Sequence, residues 1–406
     1  MSLRLCAFAF KKKPLRTSSI TMTQMKKQSK IRLVSYNERM TKEYQRFEDK
    51  YSQKEQREKK IQRKLSAHRD LGKRKKTDHD KLHKDRDDRT EKRLDKDDTL
   101  EGHVIAMGSE GIMIEHEGKN YLCVLRGILK KEKTEKKSLI TIGDLVSFIA
   151  TAENEGAITK IAPRKSILSR ADALQQKKEH LIAANIDQVL ITASVVNPTL
   201  KPSLIDRYII SAIKGGMQPI IIINKVDLLE KDSVEELFYQ ELLKAYSKTS
   251  IPIISLSASQ GTGIDRLIEI MKGKTSVFSG QSGVGKSSLI NVVADLKLKI
   301  GSTIEKTKKG SHTTTQAQLV PLKFGGWCID TPGIKSFGVW DVEPHQLKNY
   351  YEEMVALSKK CHYPDCSHTH EPHCAIIAAL DKKIHRLRYE NYLSILSTLE
   401  EEQRRR

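Results

Sequence analysis

Aromatic residues are scarce in this chain: 8 Phe, 12 Tyr and 2 Trp amount to 5% of its 406 positions. That leaves little material for broad sticky surfaces, whereas a hydrophobic share of 38% still fills ordinary cores. No apolar run approaches the roughly 18 residues that a membrane-crossing helix needs, so no membrane partner is expected. Cysteine is also sparse, and three of the six gather with histidines near the C-terminus. The scattered remainder suggests no disulfide framework, which points to the cytoplasm. Acidic side chains are missing altogether from residues 1–37, so an organellar targeting segment is the alternative to a cytoplasmic protein. The apolar stretch from Met1 to Phe10 runs into KKKP without a signal cleavage pattern.

The length suits two or three domains. The net charge of +21 is uneven, because residues 1–100 hold 31 Lys and Arg against 16 Asp and Glu. A positive potential concentrated at one end favours a polyanion such as RNA; a solvated tail that aids solubility is the alternative. From Lys26 to Asp98 the apolar residues are isolated, as at Tyr44, Phe47, Ile61 and Leu65. Such a segment cannot bury enough area to offset ordering its backbone, and residues 1–98 are expected to form a basic, mostly disordered extension.

Near Glu101 the composition changes. Short alternating apolar runs separated by Gly or charged turns predict about five strands, hence a small barrel over residues 99–170. The lysine-rich KKEKTEKK at 130–137 interrupts them as an RNA-facing or simply solvated loop. After Ala184 strands alternate with helices, which predicts a mostly parallel α/β sheet with ligands at the strand C-termini, assigned to 171–340. Helix-rich sequence over 341–406 is broken by a Cys/His cluster, and Lys382 to Glu401 reads as a final helix.

The sharpest motif is GQSGVGKS, which fits the phosphate-binding pattern GxxxxGK[ST] between an apolar strand and a helix. Gly280 and Gly285 permit a tight loop whose successive amides, through Gln281, Ser282, Gly283 and Val284, can face an anion at the helix start. Lys286 offers a compact positive charge to the outer phosphates, Ser287 can ligate Mg²⁺, and Ser288 completes the stretch. Asp330 ends the strand WCI within IDTPG, where it can hold the Mg²⁺ shell through water. The Gly333 amide can meet a third phosphate when its loop closes. Between these, GSHTTTQ carries threonines that can reach Mg²⁺, with Thr314 the first choice.

Base selection is placed earlier, at NKVD. Asp227 can accept from the ring N–H and the exocyclic amine of guanine together, a pairing adenine cannot offer. Asn224 can fix loop and base, the stem of Lys225 can cover a ring face, and SAS can present the Ala258 amide beside Ser257 to the guanine carbonyl. The motif order is permuted, since a typical GTPase begins with its phosphate loop. Rejoining a chain whose ends lie close preserves every spatial neighbour. The segment after DTPG then leads directly into the C-terminal module, so nucleotide state is expected to alter the placement of that module.

The cluster CHYPDCSHTHEPHC gives Cys361, Cys366, His368 and Cys374. Three thiolates and one imidazole make a closed tetrahedral shell suited to a structural Zn²⁺, with His362, His370 and His373 as possible substitutes for the imidazole.

GQSGVGKSS, HTTT, DTPG, NKVD and the Cys/His cluster together resemble the bacterial circularly permuted GTPases of small ribosomal subunit biogenesis. The resemblance spans roughly Leu100 to Leu399 and leaves out the charged extension. It implies an OB-fold for the barrel and a ribosome-contacting role for the zinc-bearing helices. It further implies slow intrinsic GTP hydrolysis stimulated by the small subunit and its rRNA, in late maturation or quality control. A monomer is expected. Regulation of another RNA or translation complex, or a non-enzymatic RNA-binding scaffold with a structural nucleotide, are the alternatives. The motifs carry over at Asn224, Lys225, Asp227, Ser257, Ala258, Lys286, Ser287, Thr314, Asp330 and Gly333.

Ile334 stands where many small GTPases have a water-positioning glutamine, and an apolar side chain cannot polarise water. His312, beside the threonines, is the candidate replacement; a solvent-facing histidine without a role is the alternative. If His312 positions the water, His312→Ala lowers the partner-stimulated single-turnover rate about 10²-fold or more. An unchanged rate removes the residue from the mechanism.

Overall fold

The computed structural model describes residues 99–108, 110–126, 139–172, 175–294, 317–330 and 342–404. The basic extension, the 130–137 loop, the threonine segment with His312 and Thr314, and Gly333 with its neighbours lie outside them.

Five strands, β1 (Thr99–Met107), β2 (Ile112–His116), β3 (Lys119–Leu125), β4 (Leu145–Ala152) and β5 (Glu155–Ile161), close into a barrel in the order β1-β2-β3-β5-β4. β1 pairs with both β2 and β4, and β3 runs parallel to β5, which is the closure of an OB-fold. The alternation read from the sequence drives this. Val104, Ile114, Phe148 and Ile158 point inward and are fully buried, and no apolar face needs a covering helix.

A hairpin of β6 (Ile167–Asp172) and β7 (Gln175–Ala184) follows as its own two-stranded sheet. The charged run QQKKEH within β7 gave no strand signal, and the residue-170 boundary drawn from the sequence falls inside β6. Barrel and hairpin are joined by a buried carboxylate. Asp144 accepts from Arg164 Nε at 2.7 Å and Nη2 at 2.8 Å and from the Thr141 amide at 2.7 Å. Thr141 Oγ1 in turn donates to the Ile182 carbonyl at 3.0 Å.

The α/β layer contains β8 (Gln188–Ser194), α1 (Pro202–Lys214), β9 (Gln218–Asn224), α2 (Val234–Tyr246), β10 (Ile253–Ser255), α3 (Ile264–Met271), β11 (Thr275–Ser279), α4 (Lys286–Ala294), β12 (Gln318–Pro321) and β13 (Trp327–Asp330). The sheet order is β10-β9-β8-β11-β13-β12, parallel throughout except for the antiparallel pair β12–β13. β8 and β9 lie covered on both faces, so they read as continuous apolar runs such as the four isoleucines 220–223, all buried. Each such side chain contributes about 1.5–3 kcal/mol on burial. One sheet edge therefore collects the C-terminal ends of β9, β10, β11 and β13, the strands that precede NKVD, SAS, the phosphate loop and DTPG.

The last segment has a 3-10 turn (Pro344–Tyr350), α5 (Glu352–Ser358), the short α6 (Ala375–Ala378) and α7 (Arg386–Arg404). The final helix starts four residues later than the sequence suggested, because Leu380 and Ile384 form a bridge that holds the chain in a turn. These helices do not hang from the sheet by their linker alone: Ile210 of α1 belongs to their apolar core with Leu347, Met354, Ile376 and Ile395. At the seam, Arg388 pairs with Asp206, and its Nε donates to Glu353 at 2.7 Å. Its guanidinium stacks between the rings of Tyr246 and Tyr351, at 4.8 and 4.5 Å. The hydroxyls of Tyr246 and, at 3.4 Å, Tyr351 and the Asn391 amide also donate to Asp206. Burial pushes the Asp206 carboxyl above its ordinary range, against the downward pull of Arg388, Tyr246 and Asn391.

Removing one partner of such a cluster leaves a buried charge without compensation. Asp206→Ala should cost about 3–5 kcal/mol, seen as a lower urea midpoint and earlier proteolytic release of the C-terminal helices. An unchanged midpoint would contradict the role given to this seam.

Candidate nucleotide site and metal cluster

Asn224 is the last residue of β9 and is almost fully buried. Its Nδ2 donates to the Val284 carbonyl in the phosphate loop at 2.8 Å. Its Oδ1 accepts from the amide of Lys225 at 2.8 Å and from that of Ala258 at 3.1 Å. A single carboxamide thus ties together three loops separated by up to 60 residues. The Ala258 amide, expected from the sequence to face a guanine carbonyl, is engaged by Asn224 here.

The loop Gly280–Gly285 leaves β11 and enters α4, as the sequence predicts. Gly280 has φ 143° and Gly285 φ 97°, values that L side chains avoid. A Cβ on Gly280 would lie 2.0 Å from the Thr192 carbonyl oxygen, and one on Gly285 would lie 2.3 Å from Asn224 Nδ2. Both glycines are therefore required by close approach as well as by backbone angle. Val284 is buried and anchors the loop, while Ser282, Gly283 and Ser287 are exposed and Gln281 and Ser288 partly so. Lys286 Nζ donates to the carbonyls of Gly280 at 2.7 Å and Gln281 at 2.8 Å, so its charge sits over the loop mouth. Ser287 presents a hard oxygen on the first turn of α4, a donor suited to Mg²⁺.

Lys225 adopts a left-handed conformation, φ 64°. Its Nζ reaches across to the Gly283 carbonyl at 2.8 Å and to the Asn197 carbonyl. Burial pulls the ammonium below its ordinary pKa, with Asp227 opposing. Asp227 itself is exposed, and hydrogen bonding from Ser257, together with Ser259 Oγ at 3.2 Å, holds its carboxyl below the ordinary carboxylate range. It is ionised at neutral pH, the state that can accept two donors from a base. Asp330 ends β13 beside β11, the strand that leads into the phosphate loop. Sequence reasoning missed the loop Val195–Leu200 after β8, which supplies the Asn197 carbonyl. Its Asn-Pro pair and the proline opening α1 mark a turn and a helix start, but not what they touch.

In the C-terminal region the ligand atoms of Cys361, Cys366, His368 and Cys374 all lie within 4.8 Å of one another. His368 Nδ1 is 3.6 Å from the sulfurs of Cys361 and Cys374, which are 4.0 Å apart. A tetrahedral zinc with bonds of about 2.0–2.3 Å requires ligand separations of roughly 3.5–3.8 Å; the His368 separations match, and the four ligand atoms, all within 4.8 Å, could hold such an ion after a small inward shift of the sulfurs. Among the histidines named as alternatives, none joins the cluster: His370 Nδ1 pairs with Thr369 Oγ1, and His362 lies against Tyr363 and His373. Burial pushes the Cys366 thiol up to about 12, so a cation is what would stabilise a thiolate there. Glu371 braces the loop by accepting from the amides of Ser367, Thr369 and His370. Tyr389 and Tyr392 of α7 donate to the carbonyls of His368 and Ser367 at 2.8 and 3.0 Å.

A parallel sheet whose phosphate loop follows, rather than precedes, its NKVD and SAS strands defines a P-loop GTPase of circularly permuted order. The family described as RsgA GTPase matches residues 161–340. The small ribosomal subunit biogenesis GTPase RsgA of Flavobacterium johnsoniae is 38% identical over 287 residues, covering 70% of this chain and 88% of that protein. Its counterpart in Thermotoga maritima is 36% identical over 302 residues, covering 73% and 96%. In structure the chain is similar to YjeQ from Thermotoga maritima, with TM-score 0.61, 32% identity and coverage of 74% and 98%. It is also similar to YloQ, a circularly permuted GTPase, with TM-score 0.60, 26% identity and coverage of 76% and 99%. The chain belongs to the RsgA GTPase family, and it is a GTP-hydrolysing enzyme.

Asn224→Ala strands the Val284 carbonyl and the Ala258 amide. It should weaken GTP and GDP alike by about 10- to 100-fold in a fluorescent-nucleotide titration; full affinity would show that the three loops hold without it. Native mass spectrometry should find one zinc per chain, removed by a strong chelator and absent from Cys374→Ser. No metal in freshly purified protein would refute the closed-site assignment.

Proposed function

We propose that this GTPase acts in maturation or quality control of the small ribosomal subunit, binding the subunit and its rRNA and turning over slowly until the subunit stimulates it. The observation that carries the reading is the Asn224 junction. It ties the NKVD loop, SAS and the phosphate loop together, which supports reading them as one guanine-nucleotide pocket. The names of the relatives supply the ribosomal context.

Within that pocket we assign Asp227 to the guanine N–H and amine, Lys225 to a ring face, and the Ser257–Ala258 turn to the closure around the base. The amides from Gly280 to Gly285, with Gln281, Ser282, Gly283 and Val284 between, would cradle the phosphates, with Lys286 against their charge and Ser288 alongside. Ser287 and Thr314 would hold Mg²⁺ and Asp330 its water shell, the ion supplying charge neutralisation when bound. Gly333 would report the third phosphate, and His312 would orient water. Cys361, Cys366, His368 and Cys374 would hold one structural Zn²⁺.

The division into an extension (1–98), barrel (99–170), GTPase domain (171–340) and zinc module (341–406) belongs to the same proposal. So do a cytoplasmic setting and a monomeric state. Among the described residues no helix is long and apolar enough to cross a membrane. Because α7 is clamped to α1, any nucleotide-dependent movement of the zinc helices would carry the GTPase domain with it, relative to the barrel.

The decisive assay compares GTP hydrolysis with purified small subunits, large subunits and free rRNA. Stimulation of about tenfold or more is expected from small subunits alone. Equal stimulation by large subunits would favour another translation complex, and none with any partner would favour a scaffold with a structural nucleotide. Equal affinity for guanine and adenine nucleotides would overturn the pocket itself.

A further inference from the structure

Around α2 the surface departs from the rest of this basic chain. Residues 227–241 carry six acidic side chains, Asp227, Glu230, Asp232, Glu235, Glu236 and Glu241, against the single Lys231. In their midst large apolar groups stand in solvent: Leu228 is 49% exposed, Val234 55% and Leu237 54%. Val234 and Leu237 lie three residues apart on one face of α2, while Phe238, Tyr239 and Leu242 turn to the interior. Ser233 and Glu236 serve the helix start, since Ser233 Oγ accepts from the Glu236 amide at 3.1 Å and Glu236 accepts from the Asp232 amide at 2.6 Å. Glu241 is occupied by His385 at 3.4 Å. Glu230, Asp232 and Glu235 remain exposed around the apolar centre.

An acidic rim repels phosphate backbones, so nucleic acid is a poor occupant for this face. The chemistry fits a cationic peptide that also brings apolar side chains. The chain carries such a segment itself. Residues 1–98 hold 31 Lys and Arg against 16 Asp and Glu; Tyr44, Phe47 and Tyr51, spaced by three and four, supply its apolar side chains among Lys42, Arg46, Lys50 and Lys54 with Glu43, Glu48 and Asp49, and the run Lys73 to Lys76 concentrates its positive charge. About 50 residues separate Phe47 from the start of β1 at Thr99, ample chain to span a domain. Tethering also raises the local concentration of the segment to about the millimolar range.

We infer that the acidic, apolar-centred face of α2 docks the chain's own basic N-terminal segment.

The test uses the full chain with the photoreactive p-benzoylphenylalanine in place of Leu237, irradiated without nucleic acid at low protein concentration and mapped by peptide mass spectrometry. Cross-links within single molecules to residues 26–98 are expected, falling about fivefold or more in 1 M salt and likewise in Glu230→Lys/Glu235→Lys. The salt arm needs no further substitution, so the result stands even if the charge-reversed variant folds poorly. The same label at Val124, an exposed barrel residue, should give at most a minor yield. No cross-link to residues 1–98, cross-links only between molecules or to a copurifying protein, a yield unmoved by salt, or equal yield from Val124 would overturn the inference.

Discussion

Three loops that the chain reaches at widely different points meet on one carboxamide. Asn224 donates from Nδ2 to the phosphate loop and accepts at Oδ1 from the Lys225 and Ala258 amides, and it is buried while doing so. A buried amide of this kind is costly unless every bond is made, so the arrangement tolerates little movement of any partner. Gly285 answers to the same constraint, because a side chain there would run into the Asn224 amide. The Lys225 ammonium adds a second brace from the same turn to the phosphate loop, through the Gly283 carbonyl. Asp227, ionised, and Lys286 are carried on two of the loops that this junction ties together.

Permuted order has a physical corollary. With the phosphate loop on β11 and the base motif on β9, the sheet still sets β8 between them and β13 beside the loop, so the pocket is that of a chain begun elsewhere. What permutation alters is which segments are covalently joined. The barrel now leads into β8 through the β6–β7 hairpin, and the last strand leads into the helices that carry the Cys/His cluster. Those helices are not left to their linker. Arg388 and Asp206 form a buried cluster with Glu353 and Asn391 between two tyrosine rings, welding α7 to α1. From α7, Tyr389 and Tyr392 continue to the carbonyls of the metal loop. The metal cluster and the GTPase sheet therefore share one framework of side-chain bonds.

Much of this was legible before any coordinates. Short alternating apolar runs announced the barrel, and the alternation of strands with helices after Ala184 announced the mostly parallel sheet. Elements went unseen where local sequence and tertiary role disagree. The charged run in β7 forms a strand because β6 supplies its backbone partners, and Arg386 begins α7 only because the Leu380–Ile384 bridge holds the preceding turn. Asp206 and Arg388 are single charges within helices, and nothing in their sequence neighbours reveals that each offsets the other's desolvation.

By itself the sequence determined the chemistry. Spacing marks out a phosphate-loop pattern, NKVD and a Cys3His set, groups whose amides, carboxylate and thiolates suit phosphate, a guanine base and a metal ion. Tertiary structure alone decided which groups serve as partners: the Ala258 amide turned to Asn224, the Asn197 carbonyl beneath Lys225, and His368 rather than His362, His370 or His373 beside the thiols. A motif constrains residues a few positions apart. A partner 28 positions away, as Asn197 is from Lys225, or 182, as Arg388 is from Asp206, is chosen by how strands and helices stack, and that is settled by burial and satisfied polar groups across the whole fold.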